Sequence, residues 1–327
     1  MSTPITIAEL EAAAALVHSV MPPTPQYRWP LLAARAECDV VVKHENHTPL
    51  GAFKVRGGLV YMEHLASETP HVRGVVSATR GNHGQSIAFA ARRHAIPVTI
   101  VVPHGNSVEK NAAMRALGAE LIEAGRDFQE SAEAADAIAR ERSLHRLPSF
   151  HPWLVSGVAT YSLELLREHP DLDALYVPIG LGSGICGAIA ARDALGVRTR
   201  IIGVVAEGAP AYALSVESGS LTSHDVTTVI ADGMACRTPV AEALAIIAHG
   251  VDHIVRVSDA QIEEAMRICF TDTHNVAEGA GAAAHAALMK ERTWARGRKV
   301  GVVLSGGNVD RDVFARVLAA GGNSLTA

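Results

Sequence analysis

Aromatic residues make up only 4% of this chain of 327 residues, so the filling of its interior falls to Ala, Val, Leu, Ile and Gly. Such side chains suit layers of helix packed closely on sheet. Cysteine is scarce too. Cys38, Cys186, Cys236 and Cys269 lie far apart, and none belongs to a C-x-x-C pair. This gives no basis for a disulfide framework or a cysteine zinc site, and points to isolated thiols in a reducing compartment. Runs of Lys or Arg are missing and the formal net charge is −5, which argues against a nucleic-acid surface. No apolar stretch is long enough to cross a bilayer. Residues 1–11 have neither the basic nor the apolar part of a secretory leader. The expectation is a soluble cytoplasmic protein with no membrane or nucleic-acid partner. Apolar residues, at 48%, suffice for a sizeable core.

What is present is an alternation of short apolar runs with helical patterns. Residues 39–43, 74–78, 98–102 and 120–123 read as strands, as do 174–179, 200–205, 251–257 and 299–304. Helical patterns cover 6–20, 53–65, 84–94, 108–117, 127–142, 185–195, 259–270 and 309–318. Pro22, Pro23 and Pro25 break the chain after the first helix, and 145–153 reads as a loop between two series. Continuous apolar strands between helices predict parallel sheets covered on both faces, a doubly wound α/β plan. Two such halves with a cleft between them are expected.

The run after 174–179 is Gly180-Leu-Gly-Ser-Gly-Ile-Cys-Gly187. A glycine-rich turn from strand to helix lets backbone N–H groups approach an anion at the helix N-terminus, which predicts a phosphate site. Gly182, Gly184 and Gly187 fit G-x-G-x-x-G, and Glu207 lies twenty residues on, the place of a ribose-binding acid. On this loop alone a dinucleotide, another phosphate and a tight packing turn all stay open.

Three further segments bear on the choice. Lys54 lies near a helix start among apolar Ala52, Phe53 and Val55. A lysine without adjacent carboxylates and partly desolvated is a competent amine nucleophile, although most single lysines are surface residues. Residues 77–85, Ser-Ala-Thr-Arg-Gly-Asn-His-Gly-Gln, form another strand-to-helix turn. There Thr79, Asn82 and free N–H groups suit a carboxylate or a ring hydroxyl, or a plain helix cap. Leu304-Ser-Gly-Gly-Asn308 ends the last strand, where ligands of open α/β sheets bind.

Together these segments resemble the signature set of the fold-type II pyridoxal-phosphate (PLP) enzymes, and within them the serine/threonine dehydratase family. Ala52-Phe-Lys-Val-Arg-Gly57 resembles the family's S-F-K-x-R-G, and Thr79 to Gln85 its S-x-G-N-H-x-Q. Gly180 to Ser183 resembles its glycine loop, and Ser305 to Asn308 its S-G-G-N. Residues 231–235 and Glu278, within 277–281, match as well, in the family's order from about Lys43 to the C-terminus. The resemblance implies a tryptophan-synthase-β-like fold with PLP in the cleft. It implies a large domain of 1–48 plus 152–327, a small mobile domain of 49–151, and a homodimer. Lys54 is then the catalytic residue and carries PLP as a Schiff base. Gly180, Leu181, Gly182, Ser183 and Gly184 hold the phosphate, Asn82 the ring hydroxyl and Ser305 the ring nitrogen. Thr79, Arg80, Gly81, Asn82 and His83 bind the amino-acid substrate. Glu207 and Glu278 are implied near the site in supporting roles. The implied reaction is α,β-elimination from a β-hydroxy amino acid, giving a 2-oxo acid and ammonia. A β-replacement synthase of the cysteine-synthase kind and a dinucleotide-dependent oxidoreductase are the alternatives.

Arg80 departs from the family pattern, which has Ala or Ser before Gly-Asn-His. A guanidinium stays protonated, so racemisation through this position is not expected. Arg80 is expected either to face the pocket and pair with a polar or anionic group of an unusual substrate, such as a hydroxylated aspartate-like or acylated amino acid, or to face away onto a structural carboxylate. Ala213 stands where racemase-like members carry a metal-binding Asp, and His44 and His47 lack further partners at ligand spacing, so no metal site is expected.

Overall fold

The computed structural model describes residues 5–320. Residues 1–4, part of the segment read for a leader, and 321–327, assigned above to the large domain, lie outside them. The strands are β1 (Gln26–Arg28), β2 (Asp39–His44), β3 (Val75–Ala78), β4 (Val98–Val102), β5 (Glu120–Glu123), β6 (His145–Arg146), β7 (Ala174–Pro178), β8 (Arg200–Ala206), β9 (His253–Val257) and β10 (Lys299–Leu304). They form a six-stranded sheet in the order β1-β2-β10-β7-β8-β9 and a four-stranded sheet in the order β5-β4-β3-β6. Every pairing is parallel except the edge pair β1–β2.

The continuous apolar runs have a physical reason. On the large sheet, Val40, Val42, Tyr176, Ile202, Val204, Val300 and Val302 pack into one core layer. Their chain neighbours Val41, Leu175, Val177, Ile201, Val205 and Val303 pack into the layer on the other face. Side chains alternate across a strand, so a sheet buried on both faces needs apolar residues at successive positions. The small sheet has its own core, which also takes Val17 and Met21 from the N-terminal segment and Leu154.

Residues 145–153 are not simply a loop. His145–Arg146 pair with β3, and the helix Pro152–Glu168 starts inside the stretch. His151 caps this helix by accepting from the Trp153 N–H, and Pro152 occupies its first turn, where a missing N–H costs nothing. The buried helix Gly279–Lys290 also escaped sequence reading. Ala, Gly and one His fill most of it, and it is buried nearly all round, so no amphipathic period marks it.

A buried charge network holds the start of the helix Lys54–Glu68 against its neighbours. Arg56, fully buried, donates from Nε to Glu45 Oε2 (2.8 Å) and from Nη1 to Glu164 Oε1 (2.6 Å) and Thr160 Oγ1 (2.9 Å). Lys43 Nζ, also buried, reaches Glu164 Oε2 at 2.5 Å. Burial alone would push Glu164 up, but Arg56 and Lys43 outweigh it and hold the carboxyl at about 2. A depressed carboxylate stabilises the fold above its ordinary value of 4.5, and that contribution fades as pH falls from there toward 2. Arg56→Met is therefore expected to cost about 3–5 kcal/mol in urea unfolding at pH 7. The deficit should shrink below pH 4.5 as the stranded acids take up protons. Equal stability of variant and parent at pH 7 would contradict this reading of the network.

Candidate active site

The C-terminal ends of β3, β7 and β10 converge on one cleft, the place where open parallel sheets bind ligands. The cleft has a volume of about 930 Å³ including its open mouth. Lys54, the turn 79–83, the loop 180–184 and Ser305 all line it.

Lys54 opens its helix and is fixed by the backbone on either side. The Phe53 N–H donates to Ser305 O at 3.0 Å, Ala52 forms a bridge with Gly306, and Ser86 Oγ donates to the Lys54 carbonyl at 2.5 Å. Its amine donates to Ser183 Oγ at 3.1 Å and lies 4.9 Å from the Phe53 ring centre. Desolvation pulls the ammonium down from 10.5 to about 8, with no carboxylate to offset it.

The turn after β3 is shaped by Thr79, whose Oγ1 accepts from the N–H groups of Gly81 (2.9 Å) and Gly84 (3.3 Å). The Thr79 hydroxyl oxygen thus serves the turn itself. Gly81 has φ +154°, and a Cβ there would lie 2.4 Å from Lys110 Cδ, so only glycine fits. Asn82 bridges the two halves: its Nδ2 donates to Glu278 Oε1 at 2.6 Å, and its Oδ1 accepts from Asn308 at 2.9 Å. One donor and one acceptor site of that amide remain for a ligand. His83 is buried, and burial together with nearby Lys54 pulls it down to about 3. It is therefore neutral, and its Nε2 has no hydrogen-bond partner among the described residues.

On the opposite wall, Gly182 (φ +100°) caps the helix Ser183–Leu195, and a Cβ there would strike Ala243 at 2.7 Å. The first N–H groups of a helix lack intrahelical acceptors, so this turn offers donors and a positive dipole end to an anion. Tyr212 holds the loop by donating to the Leu181 carbonyl at 3.0 Å. Ser305 Oγ donates to the Ala280 carbonyl at 3.3 Å.

Two residues need a different account from the one the sequence suggested. Glu207 does not line the cleft; its side chain is half exposed and lies 3.5 Å from Lys290 Nζ. The acid that made the glycine loop look like a dinucleotide site is thus a surface ion-pair partner. Lys110, which sequence reading passed over, is buried in the cleft wall, 2.7 Å from Asp232 Oδ2 and 3.1 Å from Glu278 Oε2. Burial opposes its charge, but the two carboxylates outweigh this and raise it above its ordinary value. Glu278 is itself raised, by burial first and by Asp232 beside it, against the pull of Lys110. Nothing in the helical pattern around Lys110 separates it from a surface lysine.

A family model described as pyridoxal-phosphate dependent enzyme matches residues 18–306. This chain belongs to that family. The L-threonine ammonia-lyase of Thermotoga maritima is 32% identical over 318 residues, covering 97% of this chain and 79% of the relative. The L-threo-3-hydroxyaspartate ammonia-lyase of a Pseudomonas species is 33% identical, covering 90% of this chain and 92% of the relative. Among solved structures, a pyridoxal 5'-phosphate-dependent aspartate racemase superposes with a TM-score of 0.87 at 28% identity, covering 94% of this chain and 97% of the other. The two-sheet architecture is the fold-type II fold, and the chain is a PLP-dependent lyase of the ammonia-lyase and dehydratase kind. The residues fit the cofactor: a desolvated amine faces a glycine-capped helix N-terminus across the cleft.

An amine attacks a carbonyl only when neutral, so the depressed value of Lys54 has a kinetic consequence. Trapping of PLP by the cofactor-free protein should speed up with pH and level off above about 8. Lys54→Ala should abolish that phase. A rate still rising beyond pH 10 would contradict a desolvated amine.

Proposed function

We propose that the protein converts a small β-hydroxy amino acid into a 2-oxo acid and ammonia by α,β-elimination. The observation that carries this is the Lys54 amine, desolvated and lowered to about 8, within reach of both the glycine loop and the turn 79–83. Relatives named L-threonine ammonia-lyase and L-threo-3-hydroxyaspartate ammonia-lyase support the choice of substrate class.

In this reading Lys54 holds the cofactor through its amine, and residues 180–184 with their helix N-terminus hold the phosphate. Asn82 takes the ring hydroxyl and Ser305 the ring nitrogen. When bound, the cofactor supplies an electron sink for the charge that develops at the substrate Cα. The chain does the rest. The N–H groups of the turn 79–83 other than those of Thr79 and Gly81, which are bonded within the protein, bind and orient the α-carboxylate. Lys54 Nζ accepts the α-proton, a task suited to a base lowered toward neutral pH. Phe53, Phe128 and Met234 in the cleft wall limit the entry of water. Across the whole reaction the β-hydroxyl leaves as water, a water adds at Cα, and the amino group departs as ammonia.

The described residues of 1–48 and 152–327 form the large domain and 49–151 the small mobile one, as the division between the two sheets supports. The protein works in the cytoplasm as a homodimer. None of its described helices is long and apolar enough to cross a membrane.

The test is a visible spectrum followed by an assay for 2-oxo acid over a panel of β-hydroxy amino acids. A yellow protein whose band is lost in Lys54→Ala, with oxo acid formed from a panel member, is the expected outcome. A new amino acid from acetylserine and sulfide, with no oxo acid from any panel member, would show a β-replacement synthase instead.

A further inference from the structure

Outside the cleft lies a second, wider cavity, and Arg80 lines both. Four arginines border the wider cavity: Arg80, Arg126, Arg146 and Arg237. Three are matched by carboxylates of the protein. Arg126 pairs with Glu130 at 2.5 Å, Arg146 with Asp136 at 2.5 Å, and Arg237 with Asp127 at 3.2 Å. Arg80 has no carboxylate within ion-pair distance among the described residues, and its Nε is buried without an acceptor. The acids of the inner cavity are already engaged: Lys110 holds Asp232 and Glu278, and Asn82 donates to Glu278 as well. A guanidinium cannot shed its proton, and Arg80, half-buried between the two cavities, keeps its Nε buried without an acceptor. A turn of Arg80 onto a structural carboxylate is not seen: among the described residues no acid lies within ion-pair distance of it, including Asp225, which lines the same wider cavity.

We infer that Arg80 is a specificity-determining residue that receives a second carboxylate of the substrate, so that the enzyme acts on a β-hydroxy dicarboxylic amino acid of the 3-hydroxyaspartate class. This rests on the ammonia-lyase reading above. Arg80 lies within the turn 79–83, whose free backbone N–H groups are assigned to the α-carboxylate. The anion it receives is therefore adjacent to that carboxylate, as the two carboxylates of a hydroxyaspartate are, on neighbouring carbons. The fork of a guanidinium matches a carboxylate with two parallel hydrogen bonds, a geometry that a threonine methyl or a serine hydrogen leaves unfilled. A site built around such a contact rejects substrates that lack the group.

Three readouts test this on the holoenzyme. The first is the ratio of kcat/KM for 3-hydroxyaspartate, both threo and erythro isomers, to that for serine. It should favour the dicarboxylate in the parent and fall by on the order of a hundredfold in Arg80→Met, with partial recovery in Arg80→Lys. The second is calorimetric binding of succinate, which should weaken at least about tenfold in Arg80→Met. The third is the melting temperature without ligand. It should stay level or rise in Arg80→Met, because an unmatched charge is removed; a structural ion-pair partner would lower it. An unchanged ratio, or succinate binding that does not depend on Arg80, overturns the inference. A yellow parent that forms no oxo acid from any β-hydroxy amino acid, yet binds succinate through Arg80, would fail the ammonia-lyase reading and leave the anion site standing.

Discussion

The structure depends on keeping one amine short of both water and carboxylates. Lys54 is lowered to about 8 by desolvation alone, and this holds only because no acid in the cleft is free to pair with it. Glu278 and Asp232 line the same cavity but are occupied by Lys110. A second lysine thus absorbs the negative charge that would otherwise raise the first. The backbone does the positioning. The bridge from Ala52 to Gly306 and the bond from Phe53 to Ser305 tie the lysine to the end of β10. Two residues later Arg56 anchors the same helix in a buried network with Glu45 and Glu164. A buried network of this kind adds little net stability but is costly to break, so it serves to hold one geometry.

Asn82 ties the two sheets together through its side-chain amide. It belongs to the helix after β3 of the small sheet, while Glu278 and Asn308, which grip its amide at both ends, come from the large-domain side. Any change that moves the small sheet moves Asn82 and the turn 79–83 together. The neutral state of His83, held at about 3 by burial and by Lys54, keeps a further charge out of this corner. Arg80, in the same turn, lines the cleft with no carboxylate within ion-pair distance among the described residues.

Much of this was legible in the residues. The strands were readable because both faces of the large sheet are buried, which writes apolar residues at consecutive positions, as in Val40-Val-Val42. The turn and loop that line the cleft were readable because glycines mark the positions where a Cβ would collide, Gly81 with Lys110 and Gly182 with Ala243. Long-range pairing was not. Nothing local distinguishes Lys110 from a surface lysine, because its burial depends on acids more than a hundred residues away. Glu207 failed for the converse reason: its spacing fits a ribose contact, while its side chain turns outward to Lys290. The helix Gly279–Lys290 escaped because burial on most sides removes the period by which an amphipathic helix is read.

The most direct test of the central claim is to reduce the holoenzyme with borohydride, digest it and locate the modified residue by mass spectrometry. The account predicts a single stable pyridoxyl adduct on the peptide that contains Lys54. An adduct on Lys110 or another lysine, or no adduct from a protein that retains its yellow band, would contradict it.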